Sequence, residues 1–178
     1  TYPDAKFIHL IRNPVDVALS HKKVWNKSII RTSSHWNMSN SMFLDIDSDR
    51  IIMIKYEELT TSPEDVLNRL ARFLKIDNNF DYKNVSSEEY HGSITYTGIQ
   101  NNSNEHLLSI NKIRKIEEYA FPAMRKLNYE IKYATRGKKR NHILKIILFF
   151  WDHINLLLFH IGEKGISKGL RYYKKLLQ

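Results

Sequence analysis

There is no cysteine in this chain. Structural disulfides and thiolate metal sites are therefore excluded, and the composition leans towards a reducing compartment. Proline and glycine are scarce, at four and six of 178 residues, which excludes a low-complexity chain. The loop pattern G-x-x-x-x-G-K-[ST], whose backbone amides cradle phosphates, is missing. Gly162, Gly165 and Gly169 fall in a basic stretch without strand context. No internal repeat is visible. No signal-like segment precedes the first strand, and a start at Thr1 that runs almost at once into a strand reads as a fragment or processed piece.

Acidic residues are almost missing from one region. Residues 132–178 hold 11 basic and 2 acidic side chains, whereas residues 1–131 hold 17 of each. The net charge of +9 therefore belongs to one appendage and not to the whole surface. That distribution argues against a nucleic-acid partner, which a global excess would otherwise imply. It also sets a boundary: a balanced portion over 1–131 and a basic tail over 132–178.

What is present is enough for one folded domain, with 42% hydrophobic and 26% charged residues. Residues 6–11 (KFIHLI) form a continuous apolar run, expected of a strand buried on both faces. Asn13 is an N-cap candidate, Pro14 suits the first helical position, and Asp16 favours the helix dipole. A helix from Pro14 to about Val24 follows. Residues 26–49 are polar, with Trp36 and Phe43 marking a short helix within a connection. Residues 50–56 (RIIMIKY) are a second strand that ends at Tyr56. Ser62-Pro63-Glu64-Asp65 opens a helix whose Val66, Leu67, Leu70, Phe73 and Leu74 share a face. Residues 77–104 have no period. Ser109 caps a further helix that Pro122 should kink, with Asn128 as a left-handed C-cap. Strand, helix, strand, helix, loop, helix is the order of a parallel α/β sheet with crossover helices.

The stretch "FIHLIRNPVDVALS" carries the chemistry. In open parallel sheets, ligands bind outside the carboxyl ends of the strands, and Arg12 lies at such an end. Asn13 and Pro14 open a helix whose free N–H groups favour an anion. Ser20 stands two turns along and offers a hydroxyl. A guanidinium with a hydroxyl suits a phosphate. From pattern alone the alternative stands beside it: Arg12 pairs with a carboxylate such as Asp16, and Ser20 is a small packing residue.

The same stretch resembles the 3′-phosphate-binding motif of sulfotransferases that use 3′-phosphoadenosine 5′-phosphosulfate (PAPS). "IKYEELTTSPEDVLNRLARFLKI" is similar to the family's next strand, turn and helix, and "IRKIEEYAFPAMRKLNYE" to its closing helix. The resemblance runs over about residues 1–131. It implies the α/β sheet shared with P-loop kinases and PAPS as co-substrate, with no metal. It implies a hydroxyl- or amine-bearing acceptor, whether carbohydrate, lipid, protein or small molecule. It assigns Arg12 and Ser20 to the 3′-phosphate, Tyr56 to the neighbourhood of the adenine, and Ser93, in the late loop, to a phosphate contact. Three features depart from the family. The loop for the 5′-phosphosulfate is not in this sequence, Asn128 stands where glycine is usual, and the Arg-Lys-Gly motif of cytosolic members is not evident in residues 77–104, which leaves the second 3′-phosphate clamp unassigned. No catalytic residue is assigned. His9 reads as a core histidine, and nothing places His21, His35 or His91 as a base. Glu57 and Glu58 read as organisers of the turn.

Residues 143–161 are mostly apolar over about 28 Å at helical rise. Asn141, His142, Lys145, Asp152, His153, Asn155 and His160 fall on one side of that helix. Asp152 in mid-span would cost about 2.5–3.5 kcal/mol in lipid. Docking of residues 136–178 on an anionic membrane surface and packing against protein are both compatible with this pattern, and a true span fits it less well. We expect a cytoplasmic protein, peripheral at a membrane. Two rival functions stand beside sulfuryl transfer: another P-loop-type nucleotide enzyme, such as a small-molecule kinase, and a non-catalytic membrane-surface module.

Overall fold

The computed structural model describes residues 4–46, 48–77 and 108–176. The elements, in order, are β1 (Phe7–Ile11), α1 (Pro14–Trp25), α2 (Ile29–Leu44), β2 (Ile51–Lys55), α3 (Tyr56–Thr61), α4 (Pro63–Leu74), α5 (Ile110–Lys126), α6 (His142–Lys164) and α7 (Ile166–Leu176). The chain is mixed α/β and mostly helical. Its described residues fall into two compact units: residues 4–12 with 48–77, and residues 13–46 with 108–176.

The first unit contains the sheet. β1 and β2 are parallel, with Phe7 opposite Ile51 and Ile11 opposite Lys55. Parallel pairing was the expectation, and the crossover between the strands is helical, as such a pair requires. β1 is not buried on both faces as its run of apolar residues led us to expect. Phe7, Ile8 and Leu10 are exposed, and Ile11 is buried. Among the described residues the sheet has two strands, so it lacks the neighbours that ordinarily cover such a strand. α4 supports the sheet from the same unit. The Lys6 ammonium donates to the Phe73 carbonyl and lies 5.2 Å from the Phe73 ring centroid. Val66 and Ile54 supply buried apolar volume.

The second unit is helical. Val15 and Ala18 of α1 meet Ile113 and Ile116 of α5 in a buried cluster that Ile29 and Leu108 extend. α2 is longer than the short helix expected inside a polar connection. Its serines and asparagine do not break it, because they bond back to their own helix. Ser33 donates to the Ile29 carbonyl at 2.6 Å, Ser34 to Ile30 at 2.8 Å, and Asn40 to Trp36 at 2.7 Å. Trp36 is buried and meets Tyr129 edge-on, with centroids 5.9 Å apart.

α5 carries Pro122 in its interior. Proline has no N–H for the Glu118 carbonyl, and the Lys138 N–H fills that place at 2.7 Å. One residue earlier, the buried Glu117 carboxylate accepts the backbone N–H groups of Lys132, Tyr133 and Ala134, at 2.8, 2.8 and 2.7 Å. The connection after α5 is therefore bonded along its length. Asn128 is left-handed, with φ of 53°, as expected for a residue past the helix end.

Candidate functional site

The parallel register determines the geometry at the carboxyl end of the sheet. Ile11 and Lys55 are partners, so Arg12 and Tyr56 leave the two strands side by side. The Arg12 guanidinium carbon lies 4.5 Å from the Tyr56 ring centroid. Such a cation–π contact contributes about 0.5–1 kcal/mol at an exposed site and more when desolvated. Its larger consequence is geometric, since stacking restrains a long side chain to one plane.

Tyr56 does not end β2, as the strand pattern implied. It is the first residue of α3, and β2 stops at Lys55. The helix starts there because Glu57 and Glu58 suit a first turn. The Thr60 and Thr61 hydroxyls both donate to the Glu57 carbonyl, at 2.8 and 2.9 Å. Glu58 pairs with Arg69 of α4 at 2.8 Å. That guanidinium also reaches the Met53 carbonyl at 3.4 Å. Glu58 thus organises the turn, as expected, and the turn in turn fixes the position of Tyr56.

The helix that follows Arg12 in sequence begins as expected. The Asn13 side chain accepts the Val15 N–H at 2.8 Å, with Pro14 at the first helical position. Ser20 is exposed on α1 and belongs to the second unit. The structure therefore brings together Arg12 and Tyr56 within one unit. Ser93 and His91 lie outside the described residues.

No histidine is placed as a base. His9 is half-buried in β1. His21 and His35 belong to the helical unit, and both are held below the usual histidine pKa. Burial is the larger cause for each; the charge of Lys27 adds to it at His21, and those of Arg140 and Arg31 at His35. Among the described residues, no group of three or more His, Asp or Glu side chains is placed to hold a metal ion.

The sequence pattern did not reveal the partners of two polar centres that organise the helical unit. Glu117 is one. Asp152 of α6 is the other: it accepts the Ser28 N–H at 2.8 Å and pairs with Arg31 at 3.2 Å. For Glu117 the sequence signal is an acidic residue where the helical period calls for an apolar one; Asp152 was legible as part of the polar side of its helix, without its partners.

Residues 1–81 match the model of the Sulfotransferase family. The match covers both strands, Arg12, Ser20 and Tyr56, and it bears out the resemblance read from the motif. No curated protein and no solved structure matches the chain. The match ends at residue 81, so it covers less than half of the chain.

Proposed function

We propose that this chain supplies the 3′-phosphate and adenosine half of the PAPS site of a sulfotransferase. The observation that carries the reading is Arg12 stacked on Tyr56 at the carboxyl ends of two parallel strands, within the segment that matches the family. The residues fit the ligand. A guanidinium offers a planar fork of donors to phosphate oxygens, and the Tyr56 ring keeps that fork oriented. The resemblance to the family's motif implies the Ser20 hydroxyl as a further phosphate contact.

In the reaction, the sulfur–oxygen bond to the nucleotide's 5′-phosphate breaks as the acceptor oxygen or nitrogen bonds to sulfur. The acceptor's proton leaves to a base, and 3′-phosphoadenosine 5′-phosphate departs. Arg12 holds the end of the nucleotide remote from that exchange. Its contribution is positioning, equal in ground and transition states, so its loss raises the KM for PAPS more than it lowers kcat. The acceptor we propose is a hydroxyl or amine of a carbohydrate, lipid, protein or small molecule, and the compartment we propose is the cytoplasm.

The test is calorimetric titration with 3′-phosphoadenosine 5′-phosphate, 5′-AMP and ATP. The 3′-phosphorylated ligand is expected to bind most tightly. Arg12→Ala should weaken it about 10- to 100-fold, as loss of a charged hydrogen-bond set does, and should leave 5′-AMP unchanged. Tyr56→Leu should cost about threefold through the lost stacking, and Tyr56→Phe nothing. A folded protein that prefers ATP and ignores the 3′-phosphate overturns the reading in favour of a kinase-like enzyme.

A further inference from the structure

The polarity of α6 is inverted with respect to the protein. The residues it buries include Asp152, 4% exposed, and His160, 8% exposed. Asp152 binds the start of α2 through Ser28 and Arg31, and Asn155 accepts from the Asn26 amide at 2.7 Å. Most of the large apolar residues along its middle are exposed. Ile143, Ile147, Phe150, Ile154 and Leu158 recur at helical spacing on the side opposite Asp152, and all five are exposed. A helix that completes a water-soluble core does the reverse. The stripe runs for about 22 Å at helical rise, and an apolar patch of that kind marks an interaction surface.

Charge identifies the occupant. Lys138, Lys139 and Arg140 precede the stripe, and Lys168, Arg171 and Lys175 follow it. A groove of about 350 Å³ that reaches Ile147 and Trp151 is also lined by Lys22, Lys27, Lys112 and Lys115. Cations above an apolar floor match an anionic headgroup above acyl chain. Arg140 reports the same excess of positive charge: burial, and then the nearby Arg31, lower its pKa from the usual arginine value.

We infer that α6 lies in the interface of an anionic lipid bilayer, its outward stripe in the acyl boundary and the flanking lysines and arginines on the headgroups. A second copy of this chain fits less well, because a symmetric contact across the stripe would set basic flank against basic flank. A span fits less well too, because Asp152 ties the middle of α6 to Arg31, and a span would carry that pair into hydrocarbon. The inference stands on α6 and its neighbours and is independent of nucleotide binding.

The test is co-sedimentation of the full chain with vesicles of phosphatidylcholine alone and of phosphatidylcholine mixed with phosphatidylglycerol. Binding is expected to the mixed vesicles only and to weaken with salt. Lys139→Gln with Lys168→Gln should weaken it about 25-fold, at about fivefold for each charge near the surface. Phe150→Glu with Ile154→Glu should abolish it while circular dichroism keeps its helical signal. Tryptophan emission should shift to the blue on binding, and most of that shift should vanish in Trp151→Phe. Three results overturn the inference: no binding by the folded protein, equal binding to neutral vesicles, or a lipid-free dimer that Phe150→Glu with Ile154→Glu dissolves.

Discussion

β1 exposes Phe7, Ile8 and Leu10 and buries Ile11, while α6 exposes Ile143, Ile147 and Phe150 and buries Asp152 and His160. Both segments are rich in large apolar residues, and both leave much of that surface uncovered. The difference lies in direction. Successive residues of a strand point to opposite faces, so Phe7 and Ile8 are uncovered on the two sides of β1. On α6 the exposed stripe occupies one side only, and the opposite side is held by an ion pair and amide contacts. A strand of this kind is built to lie between layers. A helix of this kind keeps its buried polar groups against the protein and turns a stripe of apolar residues outward. Apolar content alone does not distinguish the two; what each segment buries does.

The largest test of that contrast is at the buried face of α6. Asp152→Ala leaves Arg31 and the Ser28 N–H without their acceptor, and should cost about 3 kcal/mol in urea unfolding. Gly169→Ala comes next. A Cβ there would lie 2.6 Å from the His160 carbonyl oxygen and 2.7 Å from the Ile161 Cα. Backbone cannot yield cheaply, so α7 must move off α6, at about 1–3 kcal/mol in the same measurement. Ile147→Ser, on the outward stripe, should change stability by less than about 0.5 kcal/mol. If Ile147→Ser costs more than Asp152→Ala, α6 is an ordinary core helix and the contrast with β1 fails.

The smallest effect is one of pH. His21 and His35 are held below their ordinary pKa, chiefly by burial. Below about pH 6.5 the unfolded chain therefore binds more protons than the folded one. Their contribution is fully present above that pH and is lost as pH falls through the folded values. Thermal melts from neutral pH down to about 5 should show a gradual loss, and His35→Gln should make it shallower. An unchanged slope in that variant would mean that the histidine environment does not respond as its burial requires.

Much of the first unit and the opening of α1 was legible in the sequence, because the signals there are local. A continuous apolar run, an asparagine cap and a proline at the first helical position each act within a few residues. The match of residues 1–81 to the Sulfotransferase family rests on the same stretch. The length of α2 was not legible. Its serines and Asn40 look like loop residues until their hydroxyls and amide are seen to bond four residues back. Tyr56 was placed one element too early, since a strand's last residue and a helix's first look alike when the turn between them has no length. The stacking of Arg12 on Tyr56 depends on register across 44 residues. The Asp152–Arg31 pair spans 121 positions. The periodicity of α6 was readable, but not which side of it would meet the protein.

Pro122 sits inside α5, and the Glu118 carbonyl and the Glu117 carboxylate near it hold four amides of the following connection, those of Lys132, Tyr133, Ala134 and Lys138. In mechanical terms that connection is a strut and not a rope. A flexible linker of its composition would let α6 wander and would absorb any pull through slack. Here a load on α6 passes through backbone bonds directly into α5, the helix that carries Ile113 and Ile116 of the core.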